Sequence, residues 1–290
     1  VIADFFVEMT MNPGESIKGR YKIVEMLGQG GHGNVYRVFD QGKNREVALK
    51  ILDAQAASDS ESMKRFINSG EVLSTIRHRA VVQFYSLELE GRVPFLVMEF
   101  IKGKSMALSK DELRKDLPTL FHHFVELLEG IQACHIRQVI HRDIQPSNLI
   151  IDPEGQLKII DFGFAKTREN ITKPGAILGN SFYLSPEQCK GLKITESADI
   201  YSIGMVFWEF LTGKLPFELD QSKPAKLLQL LEQFDKPFPI ERFDEFPQFA
   251  PLRETIRLML QKEAEPRPSI AQIIATLKRE IPGILAFNSR

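Results

Sequence analysis

Val139-Ile140-His141-Arg142-Asp143-Ile144-Gln145-Pro146-Ser147-Asn148-Leu149 sets an acid and an amide among residues of buried type, and Ile159-Ile160-Asp161-Phe162-Gly163 follows shortly after. Between them, Leu149–Asp152 and Leu157–Ile160 read as short strands around the turn Pro153-Glu154-Gly155. An Asp at a strand edge is most often a turn former. Asp143, Asn148 and Asp161 make a more specific set. Two carboxylates and an amide oxygen are hard ligands, of the kind Mg²⁺ takes when substrate phosphates complete its shell.

Upstream, Tyr21–Leu27, Asn34–Phe39, Glu46–Leu52, Val81–Leu89 and Val93–Phe100 are short runs rich in Val, Ile, Phe and Tyr, and they read as strands. One helix, Glu61–Ile76, interrupts them with an apolar stripe that includes Met63, Phe66, Leu73 and Ile76. Leu27-Gly28-Gln29-Gly30-Gly31-His32-Gly33 holds three glycines in G-x-G-x-x-G spacing. A dinucleotide-binding turn needs a helix after the third glycine. Here Asn34-Val35-Tyr36-Arg37-Val38-Phe39 alternates as a strand, so the loop is a hairpin whose backbone can approach phosphates. Lys50, at the end of Val47-Ala48-Leu49, is either a snorkelling surface residue or a phosphate contact.

Downstream the period changes. Leu120–Arg137, Ile194–Thr212, Lys226–Gln233, Pro251–Lys262 and Ser269–Glu280 read as helices. A β-rich part followed by a helical part predicts two lobes with a ligand cleft between them. At 290 residues with 43% hydrophobic and 26% charged residues, the composition is globular. The net charge of −1 argues against a nucleic-acid partner. Cys134 and Cys189 lack metal-ligand spacing and fit a reducing, cytoplasmic setting, with Cys134 a buried helix residue. No apolar run reaches the ~18 residues of a membrane span, so this segment predicts no membrane contact. The chain opens on Val-Ile-Ala-Asp, which suggests a piece of something longer that carries other modules or an anchor. His32, His122 and His123 are read as solvated.

These motifs, with Ser185-Pro186-Glu187-Gln188, Asp199-Ile200-Tyr201-Ser202-Ile203-Gly204 and Glu265-Pro266-Arg267-Pro268-Ser269, resemble the eukaryotic-like (Hanks-type) serine/threonine protein kinases from about Tyr21 to Leu277, bacterial members above all. The resemblance implies an α+β, two-lobed kinase fold. Residues 1–20 would be an N-terminal extension. Residues 21–101 would form the N-lobe and hinge, a small antiparallel sheet with one main helix. Residues 102–290 would form a mostly helical C-lobe. It further implies ATP and Mg²⁺ as cofactors and a protein substrate. Lys50 would hold the α- and β-phosphates, Asn148 and Asp161 the Mg²⁺, and Asp143 would orient the substrate hydroxyl and accept its proton. Leu27, Gly28, Gly30, Gly33, Val35, Ala48 and Ile150 would surround the nucleotide. Met98 would guard the adenine pocket, with Glu99, Phe100 and Ile101 as hinge. Leu73, Phe84, Phe162 and His141 would stack as a spine, and Glu187 would pair with Arg267 as a structural ion pair.

Three positions depart from the family. Its helix glutamate, counted back nine residues from His78, is Ser69, while Glu71 lies roughly 200° further round at ~100° per residue. Lys50 is therefore expected to turn to Asp161 when nucleotide is absent. Gln145 replaces a lysine and Asn180 a threonine, and the two amides could bond each other. Two readings stay open: an ATP-dependent serine/threonine kinase, and a pseudokinase that binds nucleotide or a partner with little transfer. The usual activation-loop acceptor position is Ala176, beside a cationic pocket of Arg142, Lys166 and Arg65. Thr172 is the first phosphosite candidate and Thr167 the second, with a homodimer as one route to autophosphorylation.

Overall fold

Period-two alternation in the first hundred residues builds one antiparallel sheet. Its strands are β1 (Ser16–Ile17), β2 (Tyr21–Gly30), β3 (Gly33–Asp40), β4 (Arg45–Ile51), β5 (Phe84–Glu90) and β6 (Val93–Glu99). They lie in the order β1-β2-β3-β4-β6-β5. The computed structural model describes residues 11–30, 33–52, 59–91, 93–162, 182–217 and 226–281. The chain divides into two compact units, Val1–Lys102 and Gly103–Arg290.

In the first unit, Val47, Leu49 and Ile51 of β4 join Tyr21, Tyr36 and Phe95 in a buried apolar cluster. Ala48 and Lys50 alternate onto the other face. The sheet curls until its far edge meets its beginning. Glu88 of β5 accepts hydrogen bonds from Tyr21 Oη (2.6 Å) and Lys18 Nζ (3.1 Å). Burial alone would raise the Glu88 pKa, but these donors hold it below the usual carboxylate range. Ile17 is only 2% exposed and sits in the same cluster, so the end of the expected extension belongs to the core of this unit.

The helix α1 (Ser60–Leu73) packs on β5 and β6 through Phe66 and Leu73, both buried. Gly70 faces the sheet, where an added Cβ would stand 3.0 Å from Leu96 Cδ2. Leu96 is the register partner of Lys50. Cross-strand partners share a face, so α1 lies over the face that carries Lys50.

The second unit contains the small sheet β7 (Lys104–Ser105), β8 (Leu149–Ile151) and β9 (Leu157–Ile159). Its helices are α2 (Lys110–Lys115), α3 (Leu117–Ile136), α4 (Pro186–Lys190), α5 (Ser197–Thr212), α6 (Lys226–Phe234), α7 (Arg253–Met259) and α8 (Ile270–Glu280). The helices α3 and α5 form its centre, where Phe124 stacks on Phe207 at 3.8 Å between centroids. Helix α5 is buried nearly all round and α3 over most of its surface, and His123 falls on the buried part of α3, which corrects its reading as solvated. It is 2% exposed, and its Nδ1 donates to Glu126 Oε2 at 3.1 Å. Glu126 also accepts from the Leu157 amide at 3.2 Å, which anchors β9 to α3. Burial would raise the Glu126 pKa, yet these two bonds and the nearby histidines hold it low. Among the described residues, no helix is long and apolar enough to cross a membrane.

Candidate active site

The residues of the first unit expected on the nucleotide side are placed by strand register. Val35 of β3 pairs with Lys50 of β4, and Ala48 of β4 pairs with Met98 of β6. Ala48 and Met98 are buried, Lys50 and Val35 are half-buried, and Leu27 is exposed. Glu99 exchanges backbone contact with Gln83 (Glu99 N–H to Gln83 O, 2.8 Å), and its carboxylate accepts from the Gln83 amide at 3.0 Å. The segment around Glu99 is thereby held at the edge of β6. The ladder β2·β3 continues to Gly30 and Gly33, past the expected strand end at Leu27. The glycines differ in kind. Gly33 has φ +130°, and a Cβ there would stand 2.0 Å from the Ile51 carbonyl oxygen, so the fold itself requires glycine. At Gly28 a Cβ would meet nothing within 4 Å.

In the second unit the loop between α3 and β8 is fixed by buried polar groups. Asp199, the third residue of α5 and fully buried, accepts from the backbone amides of His141 and Arg142, both at 2.9 Å, and is 2.8 Å from His135 Nε2. Arg142 and Asp161 take left-handed backbone angles, φ 66° and 58°, a conformation that costs an ordinary residue roughly 1–2 kcal/mol. The Asp199 bonds supply that cost at Arg142. His141 Nδ1 accepts from the Asp143 amide at 3.2 Å, so its Nε2 carries the proton and donates to the Ile160 carbonyl at 3.1 Å. One imidazole thus ties the backbone of Asp143 to the residue before Asp161. Burial holds its pKa below the ordinary value, against the pull of Asp199 and Asp143. The ring also lies 4.4 Å from that of Phe162, so these two expected spine members meet. Leu73 and Phe84 are buried within the first unit.

Asp143, Gln145 and Asn148 form a closed set. Gln145 Nε2 donates to Asp143 Oδ1 at 2.9 Å, and Asn148 Nδ2 donates to the Asp143 carbonyl at 2.8 Å. The Asn148 amide in turn donates to the Gln145 carbonyl at 2.9 Å. Because Asn148 commits its NH₂ to Asp143, its Oδ1 is the end left for a cation. An amide oxygen so oriented is a hard ligand of the kind a divalent metal takes, and the Ile160 amide donates to the Asn148 carbonyl at 2.9 Å, one residue before Asp161. Ile150, in β8, is half-buried. The amide of Gln145 is engaged with Asp143, and Asn180, its expected partner, lies outside the described residues. So do Gly31, His32, Lys166, Thr167, Thr172 and Ala176, and the side chains of Ser69 and Arg65.

A second tier braces this set from behind. Ser185 and Gln188 cap α4 reciprocally, and Gln188 Nε2 donates to the Arg142 carbonyl at 2.9 Å. Glu187 pairs with Arg267 through two bonds of 2.6 and 2.9 Å. Arg267 also donates to the carbonyls of Gln261, Ser197 and Lys262. The structural ion pair is therefore as expected. Asp199, His135 and Gln188 are the positioning residues that sequence reasoning passed over. Both cysteines are buried and free, with their thiols pushed up to about 12, mainly by burial.

This architecture is that of a protein kinase. The profile of the protein kinase domain matches residues 21–277. Serine/threonine-protein kinase PrkC of Bacillus subtilis is 37% identical over 223 residues, 75% of this chain and 34% of that protein. Serine/threonine-protein kinase PknL of Mycobacterium tuberculosis is 35% identical over 221 residues, 73% of this chain and 55% of that protein. The crystal structure of the Mycobacterium tuberculosis PknI kinase domain, a cysteine-to-alanine mutant, superposes with a TM-score of 0.69. It covers 94% of this chain and 99% of that one, and at 21% identity it speaks to the fold alone. The chain belongs to the protein kinase family, in its Hanks-type serine/threonine branch. The matched part spans about a third of PrkC and just over half of PknL.

Proposed function

We propose that the chain transfers the γ-phosphoryl group of ATP, as its Mg²⁺ complex, to serine or threonine hydroxyls of protein substrates. The observation that carries this reading is the hydrogen-bonded set Asp143–Gln145–Asn148, moulded on buried Asp199. Asp143 orients the acceptor hydroxyl and takes its proton. Asn148 and Asp161 supply oxygen ligands to Mg²⁺, which neutralises charge on the phosphates. Lys50 engages the α- and β-phosphates, with Gly28, Gly30 and Gly33 in the hairpin over them and Val35, Ala48, Met98, Glu99, Ile101 and Ile150 about the base. The need for ATP puts the reacting domain on the cytoplasmic side of any membrane.

Regulation by phosphorylation of Thr172, with Thr167 second, is part of the same proposal, with one copy of the chain acting on another. Its support is Arg142, whose buried Nε finds no hydrogen-bond partner among the described residues. A phosphate there would supply charge-assisted bonds.

Radiolabelled ATP incubated with the purified chain, with and without Asp143→Asn, tests the reading. Label on protein that is lost in the variant is the expected result. A thermal shift with saturating Mg-ATP runs alongside, since a ligand at 100 times its Kd adds about 2.7 kcal/mol. A full shift with no label would make the chain a nucleotide-binding pseudokinase. No shift and no label would remove both readings. Mass spectrometry of the same samples places any phosphate on or off Thr172.

A further inference from the structure

We infer that Gln145 is a positioning residue that orients the Asp143 carboxylate through a neutral hydrogen bond, so that transfer proceeds here with no cation at this place in the loop. The inference rests on the kinase reading above and concerns how its acid-base group is aimed.

A carboxylate on a short side chain can turn about two torsions, and a hydroxyl approaching it needs one oxygen in a fixed direction. Gln145 Nε2 holds Asp143 Oδ1 at 2.9 Å. Gln145 can do this rigidly for two reasons. It is only 3% exposed, so its side chain is confined by packing. Its backbone is extended (φ −161°, ψ 156°) and precedes Pro146, which starts the 3₁₀ turn Pro146–Asn148. Its carbonyl accepts the Asn148 amide, while Asn148 Nδ2 returns to the Asp143 carbonyl. One residue therefore sets the acid by its side chain and the metal-side amide by its backbone. An amide donates without carrying charge, so what Gln145 supplies is direction. A lysine at this place would add charge to direction.

Three substitutions separate these contributions. Gln145→Leu keeps the volume and removes the donor. Gln145→Lys restores a donor of similar reach. Gln145→Glu keeps the shape and turns the donor into a repelling acceptor. Misplacing a reacting group by about 1 Å can cost about a hundredfold, so we expect kcat to fall by about that factor in Gln145→Leu with KM for ATP within about twofold. Gln145→Lys should recover kcat to the native level or above. If Gln145→Leu does not fold, Gln145→Glu should show the same loss. Native kcat in the leucine or glutamate variant, or a loss that lysine does not recover, would overturn the inference. A readout free of turnover is the crystal structure of the leucine or glutamate variant. The Asp143 carboxylate should leave its present direction, and if it stays, Gln145 does not position it. Absence of transfer by the native chain would remove the kinase reading, and the direction of Asp143 in these structures would still decide this one.

Discussion

Lys50 and Asp143 are held by opposite means. Lys50 stands on β4 because Leu49 and Ile51 on either side of it are buried in the sheet core, at 0% and 9% exposure. Its place along the strand follows from apolar register. Asp143 stands in a loop with no repeating ladder. Its neighbours His141 and Arg142 are fixed by Asp199, its amide by His141, its carbonyl by Asn148 and its side chain by Gln145. Apolar placement tolerates changes of shape, because neighbouring side chains can repack. Polar placement tolerates few, because each lost partner leaves a buried group unsatisfied.

The sharpest contrast lies in the braces of the two units. Removing one partner of a buried ion pair costs about 3–5 kcal/mol. Glu187→Ala, which strands the fully buried Arg267 guanidinium, should lose that much in urea melts followed by fluorescence. Leu49→Ile, a volume-conserving change beneath Lys50, should stay under about 1.5 kcal/mol. Equal losses would break the comparison. Next in size is the glycine pair. Gly33→Ala must displace the Ile51 carbonyl and keep a positive φ, so it should cost roughly 1–3 kcal/mol. Gly28→Ala should stay within about 0.5 kcal/mol. The same melts separate a glycine demanded by the fold from one left open for a ligand.

The smallest effect is pH dependence. Buried His141 stays neutral when folded, its pKa depressed below the ordinary 6.5 by burial despite the nearby carboxylates. Below pH 6.5 the unfolded imidazole takes a proton that the folded one refuses. Stability is therefore full above that pH and is lost as pH falls through the folded value, at up to about 1.4 kcal/mol per pH unit. Glu126 acts in the same direction below pH 4.5. Urea midpoints at pH 7.5 and 5.5 should show the loss, and His141→Asn should flatten it. An unchanged slope in that variant would assign the dependence to other groups.

The strands and main helices were legible because period two and period 3.6 survive in single residues such as Val47, Leu49, Phe66 and Leu73. The limits of legibility were physical too. Ladder bonds are made by backbone, so β2 continues through Gly28, Gln29 and Gly30, where side chains give no sign of it. His123 looked solvated because adjacent histidines suggest a polar face. The usable signal was that Leu120 and Leu127 stand one turn from His123, with Phe124 next to it, on the apolar side of α3, while the polar stripe runs through His122 and Glu129. In the candidate site, Asp143, Asn148 and Asp161 were readable as a set from their chemistry. The Gln145 bond was not, since an amide at that place predicts neither its partner nor its direction. Asp199 was visible as part of a motif, but its grip on His141 and Arg142 depends on how α5 packs.

Asp199 lies 58 residues beyond His141 in the chain. During synthesis, residues 139–149 emerge well before the carboxylate that shapes them, so the loop has its full complement of reactive groups and no mould. A fragment that stopped short of α5 would carry Asp143, Gln145 and Asn148 in order, yet nothing would hold Arg142 in its left-handed turn. The reactive geometry is therefore a late acquisition of the growing polypeptide, completed only when its second half has arrived.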